Sequence, residues 1–98
     1  MKLNIVKYYR MYTRGGYVVS KINDDNLIVG LRQSIKQIEN KNVSKAIVAK
    51  DTDSYILNPF VSLCESEGIE ISYVESKKEL GKMCSLDVPA AIAVYKKN

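Results

Sequence analysis

Arg32, Gln33 and Lys36 are the side chains in this sequence whose types and spacing best suit recognition chemistry. At about 100° per residue on a helical wheel, Leu31, Ile35 and Ile38 cluster in one direction and the three polar residues cluster on the opposite side. Two cations and an amide therefore share one exposed face at the start of a helix. Arginine can pair bidentately with a guanine edge or a phosphate, and glutamine offers both donor and acceptor to a base. Gly30 stands immediately before this face. A glycine there lets another backbone approach, and the free N–H groups of a first helical turn are natural phosphate ligands. RNA or another polyanion fits this set; a solvated helix face is the competing description.

Catalytic chemistry finds little support. The chain has no histidine, and its two cysteines, Cys64 and Cys84, lie twenty positions apart without CxxC spacing. Neither a zinc site nor a disulfide framework is indicated, and both cysteines are expected as buried core thiols. An enzyme would have Asp51, Asp53, Cys64 or Cys84 act in catalysis, but a cysteine nucleophile would lack its usual base, and no phosphate-cradling glycine loop is present. The expectation is a protein that is not an enzyme and needs no cofactor or metal.

Ninety-eight residues at 46% apolar content suffice for one compact domain. The formal charge of +4 suggests a polyanionic partner until the charges are located. Lys2, Lys7, Arg10 and Arg14 lie in residues 1–19 without a single acid, whereas residues 20–98 hold eleven Lys/Arg against eleven Asp/Glu. Residues 1–19 also carry Tyr8, Tyr9, Tyr12 and Tyr17, with Gly15-Gly16 as a breaker. They read as a basic, Tyr-rich extension appended to a domain over residues 20–98. Two explanations stand side by side. One is an arm whose rings stack on bases and whose cations meet phosphate; the other is a start-site artefact. Arg14-Gly15-Gly16 can be encoded by a purine-rich run like a bacterial ribosome-binding site, with Val18 or Val19 as a GTG start.

The remaining chain alternates between helical and extended patterns. A short helix is expected from Ser20 or Asn23 to Leu27, then an extended Ile28-Val29, then the amphipathic helix from Leu31 that the polar Asn40-Lys41-Asn42 segment ends. Ala46-Ile47-Val48-Ala49 reads as a strand buried on both faces. Leu57, Phe60, Val61 and Cys64 form a second helical stripe, with Asn58 as cap, Pro59 in the first turn and Gly68 as the stop. Residues 69–74 alternate as a strand, and Ser76-Lys77-Lys78-Glu79 spells a capping box before Leu80, Met83 and Cys84. Residues 90–95 make the last strand. The pattern predicts an α/β fold, a three-layer α-β-α sandwich around a mixed central sheet of about four strands. No apolar run reaches the length of a spanning helix and no signal peptide opens the chain, so a cytoplasmic protein with no membrane partner is expected.

Several ordered blocks resemble the kink-turn-binding ribosomal-protein family that includes L7Ae and L30e, in its small bacterial form, over about residues 22–95. Gly30-Leu31-Arg32-Gln33-Ser34-Ile35-Lys36 is similar to the family's RNA-reading Gly-x-Asn-Glu-x-x-Lys, in a variant with a basic residue and Gln. Ile47 to Asp53, Leu63-Cys64-Glu65, Val74 to Gly81 and Leu86-Asp87-Val88-Pro89-Ala90-Ala91 resemble its following blocks. The resemblance implies that the Gly30 helix enters the widened groove beside sheared G·A pairs. Arg32 and Gln33 would then face the guanines and adjoining backbone, and Lys36 the guanine edges or phosphate. Asp53 would lie near a flipped-out nucleotide and Lys77 near phosphate. Leu86 and Val88, with Asp87 and Pro89 in the same loop, would pack against exposed bases. The implied partner is structured RNA, as a kink-turn in ribosomal RNA, a riboswitch or an mRNA leader, with the ribosome as one setting and the protein as a monomer. A protein-interaction module of the same fold is the alternative. Two positions depart from the family pattern: Ser54 stands where proline is usual, and Ser85 where glycine is usual.

Overall fold

A computed structural model describes residues 8–13, 16–21 and 26–97, the first two segments by their backbone alone. The elements run β1 (Tyr8–Thr13), β2 (Gly16–Lys21), β3 (Leu27–Val29), α1 (Leu31–Glu39), β4 (Val43–Ala49), α2 (Ser54–Ser66), β5 (Glu70–Val74), α3 (Lys77–Met83) and β6 (Ile92–Lys96). They build one sheet in the order β2-β1-β5-β4-β6-β3. Four of these strands form the expected mixed sheet, β4 running parallel to β5 and antiparallel to β6, and β6 antiparallel to β3 at one edge; the β1–β2 hairpin adds two strands beyond β5, making six where about four are expected.

The apolar run Ala46 to Ala49 is wholly buried because both faces of β4 are covered. Ile47, Ala49, Val74, Ala93, Leu80 and Met83 pack on the face beneath α3. Ala46, Val48, Ile92, Val94, Ile38, Phe60 and Cys64 pack on the other, beneath α1 and α2. A register shift between Val43 and Lys45 lets Val43 share the α1–α2 face with Ala46, three residues away. Three layers result. Among the described residues no helix is long and apolar enough to cross a membrane.

Two expected elements differ from the structure. Ser20 lies in β2, paired with Tyr9, and Leu27 lies in β3, so the helix expected there gives way to strand at both ends; residues 22–25 lie outside the described residues. The β-branched and aromatic run Tyr17-Val18-Val19 favours extended chain, and Gly16 opens β2, paired with Thr13 across the hairpin. Helix α2 begins at Ser54 with Asp53 at the N-cap position, so Asn58 is not a cap and Pro59 lies inside the helix. Pro59 is exposed, so the bond that its missing N–H would have made to the Tyr55 carbonyl is lost on the solvent side of the helix.

All three helices close in the same way. Past α1, Asn42 N–H donates to the Gln37 carbonyl and Lys41 N–H to Ile38; Ile69 and Gly68 repeat this past α2, as do Leu86 and Ser85 past α3. In each case the residue after the C-cap is left-handed: Lys41 at φ 59°, Gly68 at 68° and Ser85 at 60°. The serine at position 85 thus takes the conformation for which the family pattern uses glycine. A left-handed L-residue costs roughly 1–2 kcal/mol, and glycine's extra unfolded-state freedom returns about 0.5–1 kcal/mol of that. Ser85→Gly should therefore stabilise the protein by about 0.5–1 kcal/mol and raise Tm by roughly 2–8 °C. Thermal denaturation checks this; an unchanged or lower Tm would mean that Ser85 is not held at positive φ in solution. Ser54, the first residue of α2, is likewise suited to the family's proline, since Asp53 before it is extended at φ −55°, ψ 138°.

Candidate nucleic-acid interface

The strand directions decide which loops meet. Because β4 and β5 run parallel and both lie antiparallel in sense to β6, the ends at Ala49 and Val74 lie beside the start of β6 at Ile92. The end of β3 joins them, as Val29 pairs with Ala93. Four segments that are distant in sequence therefore converge at one end of the sheet: Gly30 with the start of α1, Lys50 to Asp53, Glu75 to Lys77, and residues 84–91.

Hydrogen bonds tie these segments into one unit. Gly30 N–H donates to the Ile92 carbonyl at 2.9 Å, Ala49 N–H to Ala91 at 2.9 Å, and Lys50 N–H to Val74 at 2.8 Å. Lys77 N–H donates to Asp51 Oδ1 at 2.8 Å, and the Lys77 carbonyl accepts from Ala90 N–H at 3.0 Å. Ser76 caps α3 as its sequence predicts, its Oγ accepting from Glu79 N–H at 3.1 Å.

At the start of α1 the helical phase is the expected one. Ser34 and Ile38 are buried, Leu31 and Ile35 are half-buried, and Arg32, Gln33 and Lys36 are exposed. Gly30 has φ 107°, a conformation that L side chains rarely adopt, and the space where its Cβ would stand is open. No side chain caps the helix and its first turn holds no acid. The first intrahelical bond runs from Ser34 N–H to the Gly30 carbonyl, which leaves the amides of Leu31, Arg32 and Gln33 outside the helical ladder. Among the described residues, no ion pair or side-chain hydrogen bond holds Arg32, Gln33 or Lys36.

The two aspartates of the adjoining turn divide their work. Asp51 braces the start of α3, whereas Asp53 is exposed and its carboxylate makes no capping bond to α2. Lys77 is half-buried at the first position of α3, where the helix dipole slightly disfavours a cation.

Beyond α3, Asp87 and Pro89 are exposed, Leu86 is 37% exposed and Val88 is 62% exposed. Leu86 occupies the position that in this helix ending often packs on the residue five before it. Here that residue is Gly81, and the space a Cβ would fill is taken by the Val88 carbonyl, with the Pro89 Cα 3.2 Å from the Cβ position. The loop backbone is seated on the helix and its two branched side chains are left outside.

Nine of the ten residues singled out in the sequence thus lie on these converging segments, and Lys36 stands about one turn beyond Gln33 on the same exposed side of α1. Sequence reasoning missed three contributors. Asp51 is the brace, Gly81 is the seat, and Tyr55, 75% exposed on the first turn of α2, offers an aromatic surface beside Asp53. The signal for Gly81 was a glycine inside a helical pattern, which costs about 1 kcal/mol against alanine and so asks for a packing reason. For Tyr55 the signal was an aromatic residue off the Leu57, Phe60 and Cys64 stripe.

The thiols do not add a nucleophile. Burial, with a lesser contribution from Glu65, pushes Cys64 up to about 11, and burial pushes Cys84 up to about 11. Neither is a thiolate near neutral pH. Cys64 is buried in the core and Cys84 is partly buried against it. Among the described residues no three His, Cys, Asp or Glu side chains are grouped as metal ligands would be.

A layered sandwich with this loop cluster at one end of its sheet defines a class, and the comparisons with known proteins give its name. Residues 16–98 match the ribosomal protein L7Ae/L30e/S12e/Gadd45 family, and the chain belongs to that family. It is 37% identical over 79 residues to an RNA-binding protein of Halalkalibacterium halodurans, covering 81% of this chain and 94% of that one. It is 39% identical over 66 residues to an RNA-binding protein of Caldanaerobacter subterraneus, covering 67% of this chain and 80% of the relative. Among solved structures, the Giardia lamblia 15.5kD RNA binding protein superposes with a TM-score of 0.68 at 27% identity, over 74% of this chain and 62% of that longer one.

Proposed function

We propose that this protein binds RNA without catalysing a reaction, and that its target is a kink-turn. Membership of the family and the RNA-binding names of relatives from two bacteria support the first part. The observation that carries the second is the convergence of four loops around an uncapped helix start, with Arg32, Gln33 and Lys36 outward and, among the described residues, without an ion pair or side-chain hydrogen bond. A regular A-form helix hides its major groove, so a helix end carrying such a face needs a bent, widened element to enter. Around it, Leu86 and Val88 offer apolar cover for an unstacked base, and Lys77 supplies a cation for the backbone. Ribosomal RNA, a riboswitch or an mRNA leader can each present that element.

The deciding experiment is a gel shift with a kink-turn oligonucleotide and the same RNA lacking its G·A pairs. Tight binding to the first alone is expected; equal binding to both would overturn kink-turn recognition, and binding to neither would favour a protein-interaction module. Within this reading, Lys36→Ala should weaken binding to kink-turns of different flanking sequence. The slope of log affinity against log salt should fall by roughly one unit, as for loss of one phosphate contact. Unchanged affinity and slope would remove Lys36 from the interface.

A further inference from the structure

We infer that the β1–β2 hairpin extends the RNA-binding surface, reaching the phosphates of a stem that flanks the kink-turn. The inference rests on the proposed function and adds a second, cationic contact region to it. Its basis is the register of the strands. Tyr12 pairs antiparallel with Tyr73 on β5, so β1 starts at the end of the sheet where β5 finishes. In that register Met11 stands level with Val74, the last residue of β5, and Arg10 and Tyr8 lie one and three residues beyond it. Across the hairpin Tyr8 pairs with Lys21 and Thr13 with Gly16. Both open strands of the hairpin thus run out past the end of β5 on the side of the loop cluster, and the Thr13–Gly16 pair stands level with Ser72 in the middle of β5.

Charge gives the hairpin its partner. Lys2, Lys7, Arg10, Arg14 and Lys21 stand without an acid in residues 1–21, whereas residues 22–98 carry ten Lys/Arg against eleven Asp/Glu. The whole cationic excess of the chain therefore sits in and before this hairpin, and the remainder is formally negative. A surface that must approach a polyanion gains its favourable field from these residues. Strands lie about 4.8 Å apart, so β1 and β2 are about 5 and 10 Å beyond β5. Arg10 is thus within about one Debye length, about 10 Å at 0.1 M salt, of the end of β5 at Val74, and Lys21 lies one strand further out. β1 lies before the residues that match the family, so the contact is an addition to the family's surface. Covering the β5 edge is the purely structural alternative, and it makes no use of charge.

The test compares the intact protein with Arg10→Gln/Lys21→Gln and with Lys97→Gln, an exposed cation past the far end of β6 where Lys96 pairs with Val43, each titrated over a range of salt. The probes are a kink-turn RNA with a long flanking stem and one with that stem truncated. The double variant should lose roughly tenfold in affinity for the long RNA near 0.1 M salt, and its log–log slope should fall by about one to two units. Lys97→Gln should match wild type, and all three proteins should bind the truncated RNA alike. An unchanged slope for the double variant, with discrimination against RNA lacking G·A pairs retained, would overturn the hairpin contact and leave the proposed function standing. An equal loss with Lys97→Gln would overturn the placement by register. A wild-type protein that does not distinguish the kink-turn from RNA lacking the G·A pairs would sink the proposed function and this extension of it together.

Discussion

Gly81→Ala is expected to lower stability by about 2 kcal/mol and kink-turn affinity by at least roughly tenfold, although alanine is the better helix former by about 1 kcal/mol. Two effects of opposite sign meet at this position. Propensity favours the substitution, since Gly81 lies within α3 and is buried. Packing opposes it, because a Cβ there would overlap the Val88 carbonyl oxygen and sit 3.1 Å from the Val88 carbonyl carbon. Those atoms belong to backbone and cannot swing aside as the tip of a side chain can. Overpacking of this kind costs up to about 3 kcal/mol, and moving the loop also strains the bonds from Leu86 N–H to the Gly81 carbonyl and from Ala90 N–H to Lys77. The packing cost is the larger, leaving a net loss of about 2 kcal/mol, or roughly 8–16 °C in Tm for a domain of this size. Thermal denaturation and a binding titration on the same preparation check both parts. A variant that gains about 1 kcal/mol would show that propensity wins and that residues 88 and 89 are not seated on α3 in solution.

Much of the fold was readable from the chain because its helices and strands carry strong periodic signals. Leu31, Ile35 and Ile38 set the phase of α1, and that phase alone placed Arg32, Gln33 and Lys36 outward, as observed. Ser76 and Glu79 set the start of α3 through a local hydrogen bond that needs no tertiary context. The start of α2 was misplaced because Pro59 reads locally as a first-turn residue. Asp53 and the turn after β4 start the helix earlier, and the exposed proline is tolerated inside it. Gly15-Gly16 was read as a breaker where it is also a hairpin signal, so β1 and β2 stayed hidden in a segment set apart by composition.

The candidate site was legible as residues and not as an arrangement. Motif blocks named Gly30, Asp53, Lys77 and the 86–89 loop, but their meeting depends on β6 lying between β3 and β4, with β5 parallel beyond them. No local pattern encodes that order. The brace from Asp51 to Lys77 spans twenty-six positions and the seat of Val88 on Gly81 depends on how the loop folds back, so both emerge only from tertiary structure. Ser85 was equally opaque, because serine gives no sign that its backbone is left-handed.

Val88→Asp should weaken kink-turn binding by about 1–3 kcal/mol, roughly five- to 150-fold, while Tm moves by no more than about 4 °C. The small effect on folding follows from exposure: Val88 is 62% exposed, and the part of it that the fold uses is its backbone against Gly81. An aspartate can keep that backbone contact and send its carboxylate into water. In the complex proposed above, the same side chain would stand beside RNA. It would lose the apolar cover that valine gives an unstacked base and add a negative charge near phosphate. Two like charges about 5 Å apart repel by about 1 kcal/mol in water and by about 3 kcal/mol at an effective dielectric of 20, which sets the expected range. Val88→Thr separates the two losses, since it keeps the branched shape and adds a hydroxyl without charge. It should fall between wild type and Val88→Asp in affinity. Raising the salt should narrow the deficit of the aspartate variant and leave that of the threonine variant nearly unchanged, because only repulsion is screened. Binding titrations at two salt concentrations, beside a melting curve for each protein, read out both effects. If affinity survives while the melting temperature collapses, Val88 belongs to the core and the loop does not meet RNA; if neither moves, the loop is an ordinary exposed turn and the interface ends at α3.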